Sequence, residues 1–343
     1  MPARAREGGG PSRARPRFVS RAGTAGAGAR CRRMTDRSKD IRDLVVVLLG
    51  ASSGFGRGAA TELAAQGAKV VLAARREELL QELRQEIADA GGEALVAPCD
   101  VGRGDEVAAV AQRTLEAYGR IDVWINNVGV GALGFFWDIP VEDQARLVDV
   151  NLKGLIYGAH AALRQFRSQG RGVLVNVGSI HAEVPPAFQT VYAATKAAVL
   201  SLGRSLNEEL RLTGEGEAIK VATVMPWAVD TPWWIHAANY TGHQPRMAAM
   251  DDPQLVVDAL VEACRDPKEE MPVGVKAKAA DLSHGLFPGL TERLTAKVAQ
   301  KELEKADEAP ATSGSLYEPM RQGRGVEGGI RRRREQEDRA RRG

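Results

Sequence analysis

From Asp43 to Pro226 the chain repeats one pattern: a short β-branched apolar run, then a longer amphipathic stretch closed by glycine or a polar turn. The runs "LVVVLLG", "KVVLAAR", "EALVAPCD", "IDVWINN", "GVLVNVGS" and "AIKVATVMP" read as strands. The stretches between them, such as "RGAATELAAQG" and "EELLQELRQEIADAGG", read as helices with glycine stops. "VEDQARLVDVNLKGLIYGAHAALRQFRSQ" reads as one long helix, and the helix after "GVLVNVGS" is expected to reach Leu212. Strands apolar on both faces belong in a parallel sheet covered on both sides. The fold class expected is therefore α/β, a doubly wound, Rossmann-like parallel sheet in a single domain over residues 41–300.

Two appendages flank that domain. Residues 1–40 are Gly/Arg-rich and low in apolar content, and are expected to be disordered. Met34 opens "MTDRSKDIRDLVVVLLG", so a later start and an organelle-type leader stay open as alternatives. Residues 301–343 are Pro/Gly-rich, then arginine-rich, and are expected to run as an irregular, flexible tail. Arginine at the two ends accounts for a net charge of only +3, which leaves no basic groove for a nucleic acid. Cys31, Cys99 and Cys264 stand far apart, in no metal-ligand spacing; no metal is expected, and reduced thiols suit the cytoplasm. No apolar run approaches the roughly 18 residues that span a bilayer.

The first strand runs into "LLGASSGFGRG", a Gly-x-x-x-Gly-x-Gly turn at the mouth of the first helix. Glycine lets the backbone turn sharply and come close to a pyrophosphate, and the helix N-terminus offers free N–H groups. Gly50, Ser52, Ser53, Gly54, Phe55 and Gly56 are thus candidate dinucleotide contacts. The second strand ends "LAARREE". An acid there grips the ribose 2′-hydroxyl of NAD, whereas a basic residue accommodates the 2′-phosphate of NADP. Ala74 stands where the acid is expected and Arg75 and Arg76 follow, so NADP(H) is expected over NAD(H), with Arg57 assisting.

Further along, "NNVG" at 126–129, Asn151, Ser179 and the pair Tyr192-x-x-x-Lys196 complete a set. In this order and spacing the chain resembles the short-chain dehydrogenase/reductase family over about residues 43–270. The resemblance implies an oxidoreductase with Asn151, Ser179, Tyr192 and Lys196 as catalytic residues. A free phenol titrates near 10, and an ammonium one helical turn away favours the phenolate. Tyr192 is expected to trade a proton with the substrate oxygen while hydride moves to or from the nicotinamide. Ser179 would bond that oxygen, Lys196 the nicotinamide ribose, and Asn151 a water relaying protons. The resemblance also assigns Asp100 and Val101 to adenine, Asn127, Val128 and Gly129 to the cleft, and Pro226 and Thr231 to the nicotinamide loop. It further implies a homodimer or homotetramer, with the helices around Asn151 and Tyr192 as the interface. Leu49, Phe55 and Trp227 depart from the common residues; Trp227 replaces the glycine that usually follows Pro226.

Aromatic residues mark the expected substrate pocket: Phe135, Phe136, Trp137, Phe188, Trp227, Trp233, Trp234 and Tyr240, with His181 in addition to Ser179 and Tyr192. Few charges accompany them, so a small-molecule carbonyl or secondary alcohol, apolar and fairly bulky, is expected. A cofactor-binding sensor with little turnover is the alternative, for which Trp227 is the one feature. A nucleotide-sugar isomerase is disfavoured, since the chain lacks a larger C-terminal substrate lobe.

Overall fold

A computed structural model describes residues 40–341. The expected disordered N-terminal tail lies outside them, apart from Asp40. In chain order the elements are β1 (Val45–Leu49), α1 (Gly54–Ala65), β2 (Lys69–Ala73), α2 (Glu77–Asp89), β3 (Glu93–Val96), α3 (Gly104–Tyr118), β4 (Val123–Asn126) and β5 (Ala132–Leu133). Then come α4 (Val141–Val148), α5 (Gly154–Gln169), β6 (Gly172–Val177), α6 (Thr190–Leu212), β7 (Ile219–Pro226), α7 (Trp233–His236) and β8 (Ala238–Asn239). The chain ends with α8 (Pro253–Arg265), β9 (Glu270–Val273), α9 (Gly274–Leu286), α10 (Pro288–Glu304) and α11 (Ile330–Ala340).

Among the described residues one sheet has seven strands in the order β3-β2-β1-β4-β6-β7-β9, with parallel pairing throughout. Period-two alternation divides β1 between two cores. Val46 and Leu48 face α1, α2 and α8, with Leu63, Leu83 and Leu260 beneath them. Val47 and Leu49 face α3, α5 and α6, with Val110, Phe166 and Leu210. These side chains are almost fully buried, which explains why the runs are apolar at every position. The chain leaves β1 toward β2 on one side and later places β4 on the other. That reversal opens a crevice at the C-terminal ends of β1 and β4, the usual ligand position in such sheets.

Two features differ from the sequence-based expectation, a π-helical turn and α11, whereas the short strand β9 does not. The long helix is interrupted by a π-helical turn, Asp149–Lys153, between α4 and α5. Within it, Asn151 turns its side chain inward to Val130 of the 128–131 loop. The last strand, β9, joins the edge beside β7. The C-terminal stretch also contains α11 in place of a wholly irregular tail. Asp230 accepts from the Ile330 N–H (2.8 Å) and Arg331 N–H at the start of that helix. The buried Arg246 gathers Glu302, Glu337 and Asp338, tying α11 to α10. Of the described helices, none is long and apolar enough to cross a membrane.

Candidate active site

The turn after β1 obeys the glycine requirement at three places. Gly50 has φ +89° and Gly54 φ +58°, both left-handed. At Gly56 a Cβ would lie 2.0 Å from the Gly50 carbonyl oxygen, so no side chain fits. Asn127, just beyond β4, donates from Nδ2 to the Gly50 carbonyl (3.1 Å) and leaves its Oδ1 buried without a partner. A cavity of about 160 Å³ opens here, lined by Ser52, Ser53, Gly54, Phe55, Arg75, Arg76, Asp100, Val101, Val128 and Gly129 among others. A glycine cradle that excludes side chains, a helix N-terminus and two arginines fit the phosphates of a dinucleotide.

The basic pair is engaged by groups of the chain itself. Arg75 donates to the carbonyls of Ser315 (2.6 Å) and Tyr317 (2.8 Å). Arg76 reaches Ser53 Oγ (2.7 Å) and Ser52 Oγ (3.0 Å), and also the carbonyls of Met320 and Gly323. Arg57, expected to assist, instead pairs with Glu86 at 2.6 Å. Asp100 accepts from Arg146 (2.8 Å) and from the Gly102 N–H (2.9 Å). Burial opposes ionisation of Asp100, but those two partners outweigh it and hold the carboxyl below its usual range.

A second cavity, about 80 Å³, is lined by Ser179, His181, Gln189, Tyr192, Lys196, Pro226, Trp227, Trp233 and Trp234. Phe55, Asn127, Gly129, Thr231 and Trp233 line both cavities, so the glycine turn and the phenol open on one trough. Ser179 leaves β6 in an extended conformation and its Oγ accepts from the His181 N–H at 3.1 Å. Tyr192 stands in the first turn of α6 and packs its ring against Trp233, centroids 5.1 Å apart. Lys196 Nζ lies 5.7 Å from the Tyr192 ring centroid and donates to the Val177 carbonyl at 2.7 Å. Asn151 bonds both backbone groups of Val130, at 2.8 and 2.9 Å, and Thr195 Oγ1 at 3.2 Å.

The electrostatics of the site differ from expectation. Burial pushes the Tyr192 phenol up to about 12, against the downward pull of a hydrogen bond with Ser179. Burial pushes the Lys196 ammonium down to about 8. The lysine donates to the Val177 carbonyl and lies 5.7 Å from the ring centroid, and burial dominates at both groups.

The aromatic set divides. Trp227, Trp233 and Trp234 line the second cavity, and Trp227 Nε1 donates to the Ala249 carbonyl (3.1 Å). Phe188 is not among the lining residues: it packs on Phe135 (5.0 Å), which stacks on an exposed Trp137. Tyr240 bonds Asp143. Sequence reasoning missed Gln189, three residues before Tyr192, and Ser315, Pro319 and Met320 from the C-terminal stretch. Gln189 is a polar residue in a segment otherwise read for its aromatics; the other three carry no motif.

Comparisons with known proteins agree with this geometry. A family model described as short chain dehydrogenase matches residues 44–239. An uncharacterized oxidoreductase of Bacillus subtilis (strain 168), YxnA, is 36% identical over 284 residues, covering 82% of this chain and 79% of its own. An uncharacterized oxidoreductase of Staphylococcus haemolyticus is 34% identical over 228 residues, 66% of this chain and 94% of its own. Among solved structures, a 3-ketoacyl-(acyl-carrier-protein) reductase from Brucella melitensis, complexed with NADH, superposes with TM-score 0.58 at 26% identity, covering 68% of this chain and 96% of that one. An alcohol dehydrogenase from Thermococcus sibiricus, complexed with 5-hydroxy-NADP, shares the fold at 24% identity and TM-score 0.59, over 68% of this chain and 97% of that one. The chain belongs to the short-chain dehydrogenase/reductase family, and is an oxidoreductase built to work with a nicotinamide cofactor on small molecules.

Proposed function

We propose that this enzyme moves hydride between NADP(H) and the carbonyl or secondary alcohol of an apolar, fairly bulky small molecule, with Tyr192 as general acid/base. The observation that carries the reading is the shared trough: Ser179, Tyr192 and Lys196 line a cavity contiguous with the glycine turn.

Bound nicotinamide supplies or accepts the hydride. The residues do the rest. On reduction the Tyr192 hydroxyl gives its proton to the carbonyl oxygen, and on oxidation it takes the proton back from the alcohol. Ser179 Oγ donates to the same oxygen, which steadies the charge that gathers there. Lys196, released from the Val177 carbonyl, holds ribose hydroxyls and lowers the phenol toward the working range. Asn151 fixes the backbone of Val130 and anchors the water through which the proton returns to solvent. Gly50, Ser52, Ser53, Gly54, Phe55 and Gly56 hold the pyrophosphate; Asp100 and Val101 hold the adenine end; Asn127, Val128, Gly129, Pro226 and Thr231 line the nicotinamide end. Trp227, Trp233 and Trp234 support an apolar substrate, with His181 beside them.

Preference for NADP(H) rests on Arg75 and Arg76 after β2, with Ala74 where an acid would favour NAD(H). Exposed Ile156 and Tyr157 on α5 support self-association as a dimer or tetramer through that face. Cys99 and Cys264, buried and without a disulfide among the described residues, support a cytoplasmic setting.

A panel of aryl and alicyclic ketones and their alcohols, assayed with NADPH and NADH in parallel, tests the reading. Turnover with kcat/KM at least about tenfold higher for NADPH is expected, with the preference lost in Arg75→Asp. An unchanged preference in that variant would overturn the cofactor assignment, and tight NADPH binding without turnover would favour a sensor.

A further inference from the structure

The second cavity mixes apolar walls with polar side chains, and two of those polar side chains have an atom with no hydrogen-bond partner among the described residues. Gln189 is 4% exposed and its Oε1 is buried without a hydrogen-bond partner. His181 Nδ1 is likewise buried and unpartnered. Both residues line the same cavity as Ser179 and Tyr192, and the His181 ring stands edge-on to the Tyr192 ring at 6.0 Å. Such atoms are rarely left unpaired, because water must be given up with nothing in return. Burial pushes the imidazole down to about 4, so it stays neutral and suits an uncharged partner, not a carboxylate.

Resting on the hydride-transfer reading, we infer that His181 and Gln189 form a subsite for a second hydroxyl of the substrate, beside the reacting carbon. The substrate class is then a hydroxyketone, with a diol as its reduced form. A hydroxyl can donate to Gln189 Oε1 and accept from the Nδ1–H of neutral His181, which satisfies both atoms with one group.

The test compares α- and β-hydroxy aryl ketones with their deoxy parents, as ratios of NADPH-dependent kcat/KM. The wild-type protein should favour a hydroxylated member by about 10–100-fold, and His181→Phe and Gln189→Met should each bring the ratio toward one. His181→Asn, which keeps a donor, should restore part of it. Reduction of both ketones without preference overturns the subsite and leaves hydride transfer standing. Binding of NADPH with reduction of neither overturns both.

A different observation carries a second inference. The groups that suit cofactor phosphates are taken by the chain's own carbonyls. The Gly54 N–H, at the α1 N-terminus, donates to Gly325 O (2.9 Å). Arg75 is held by Ser315 and Tyr317, and Arg76 by Met320 and Gly323. The segment is anchored beyond both ends, by pairing of Asn239 with Thr312 and by the Asp230 cap on α11. We propose that residues 315–325 are a strap that competes with the cofactor for its phosphate end and lifts when it binds. Phosphate pairs with a guanidinium more strongly than a neutral carbonyl does, so displacement is favourable.

Gly323→Val and Tyr317→Phe weaken the strap without touching the glycine turn. A Cβ on Gly323 would lie 2.6 Å from His236 Nε2, and the Tyr317 hydroxyl anchors to Asp143 at 2.9 Å. Titration of NADPH fluorescence on the full-length protein should show Kd falling about 5–10-fold in the first variant and less in the second, as the open fraction rises. An unchanged or higher Kd in Tyr317→Phe overturns the strap, even if Gly323→Val does not fold.

Discussion

The ammonium of Lys196 lies 5.7 Å from the centroid of the Tyr192 ring and donates to the Val177 carbonyl at 2.7 Å. In this arrangement the phenol is pushed up to about 12 by burial and stays protonated across neutral pH. A protonated phenol is what reduction needs, and a phenolate is what oxidation needs. The kcat/KM for ketone reduction is therefore expected to be flat from pH 6 to pH 7, whereas that for alcohol oxidation should climb with pH across the same range as the phenolate fraction grows. A pH profile in both directions checks this; parallel profiles would contradict it.

The neutral His181 gives a stability prediction with a definite sign. Its folded value, about 4, lies below the ordinary 6.5, so the unfolded chain binds more protons between those limits. The penalty is absent above pH 6.5 and grows as the pH falls toward 4. Urea midpoints measured from pH 4 to pH 7 should rise with pH, and His181→Phe should flatten that rise. An equally steep rise in the variant would place the acid sensitivity elsewhere.

Asn151 holds the π-helical turn to the 128–131 loop through both backbone groups of Val130. Replacing it with Ala leaves a buried N–H and a buried carbonyl unpaired, which should cost about 2–4 kcal/mol. Urea unfolding of Asn151→Ala reads this directly, and a loss below about 0.5 kcal/mol would show that water takes over both bonds.

At Gly56 the available space is the constraint. Gly56→Ala puts a methyl 2.0 Å from the Gly50 oxygen, so the turn must open. Affinity for NADPH is expected to fall by about tenfold or more, measured by fluorescence titration, together with some loss of melting temperature. Wild-type affinity would mean that the turn is more pliant than its geometry implies.

These predictions draw unevenly on what the sequence makes legible. The run Val45–Leu49, the glycines at 50, 54 and 56, and the Tyr192–Lys196 spacing are legible by residue type, because a buried strand, a tight turn and the proposed proton transfer each demand a particular side chain or none. The interruption at Asp149–Lys153 was hidden, since helical periodicity survives one wide turn. The C-terminal segment over the cleft was hidden for a stronger reason. It acts through main-chain carbonyls of Ser315, Tyr317, Met320 and Gly323, which every residue carries. Phe188 was misjudged because aromatic type reports burial against something, not against which neighbour.

The most direct measurement of the central claim is NADPH-dependent reduction of the best ketone by Tyr192→Phe, with NADPH binding followed alongside. The account predicts a loss in kcat of about 10²–10⁴-fold with little change in NADPH affinity. Turnover within about threefold of the wild-type protein would contradict it, since the proton would then come from another group.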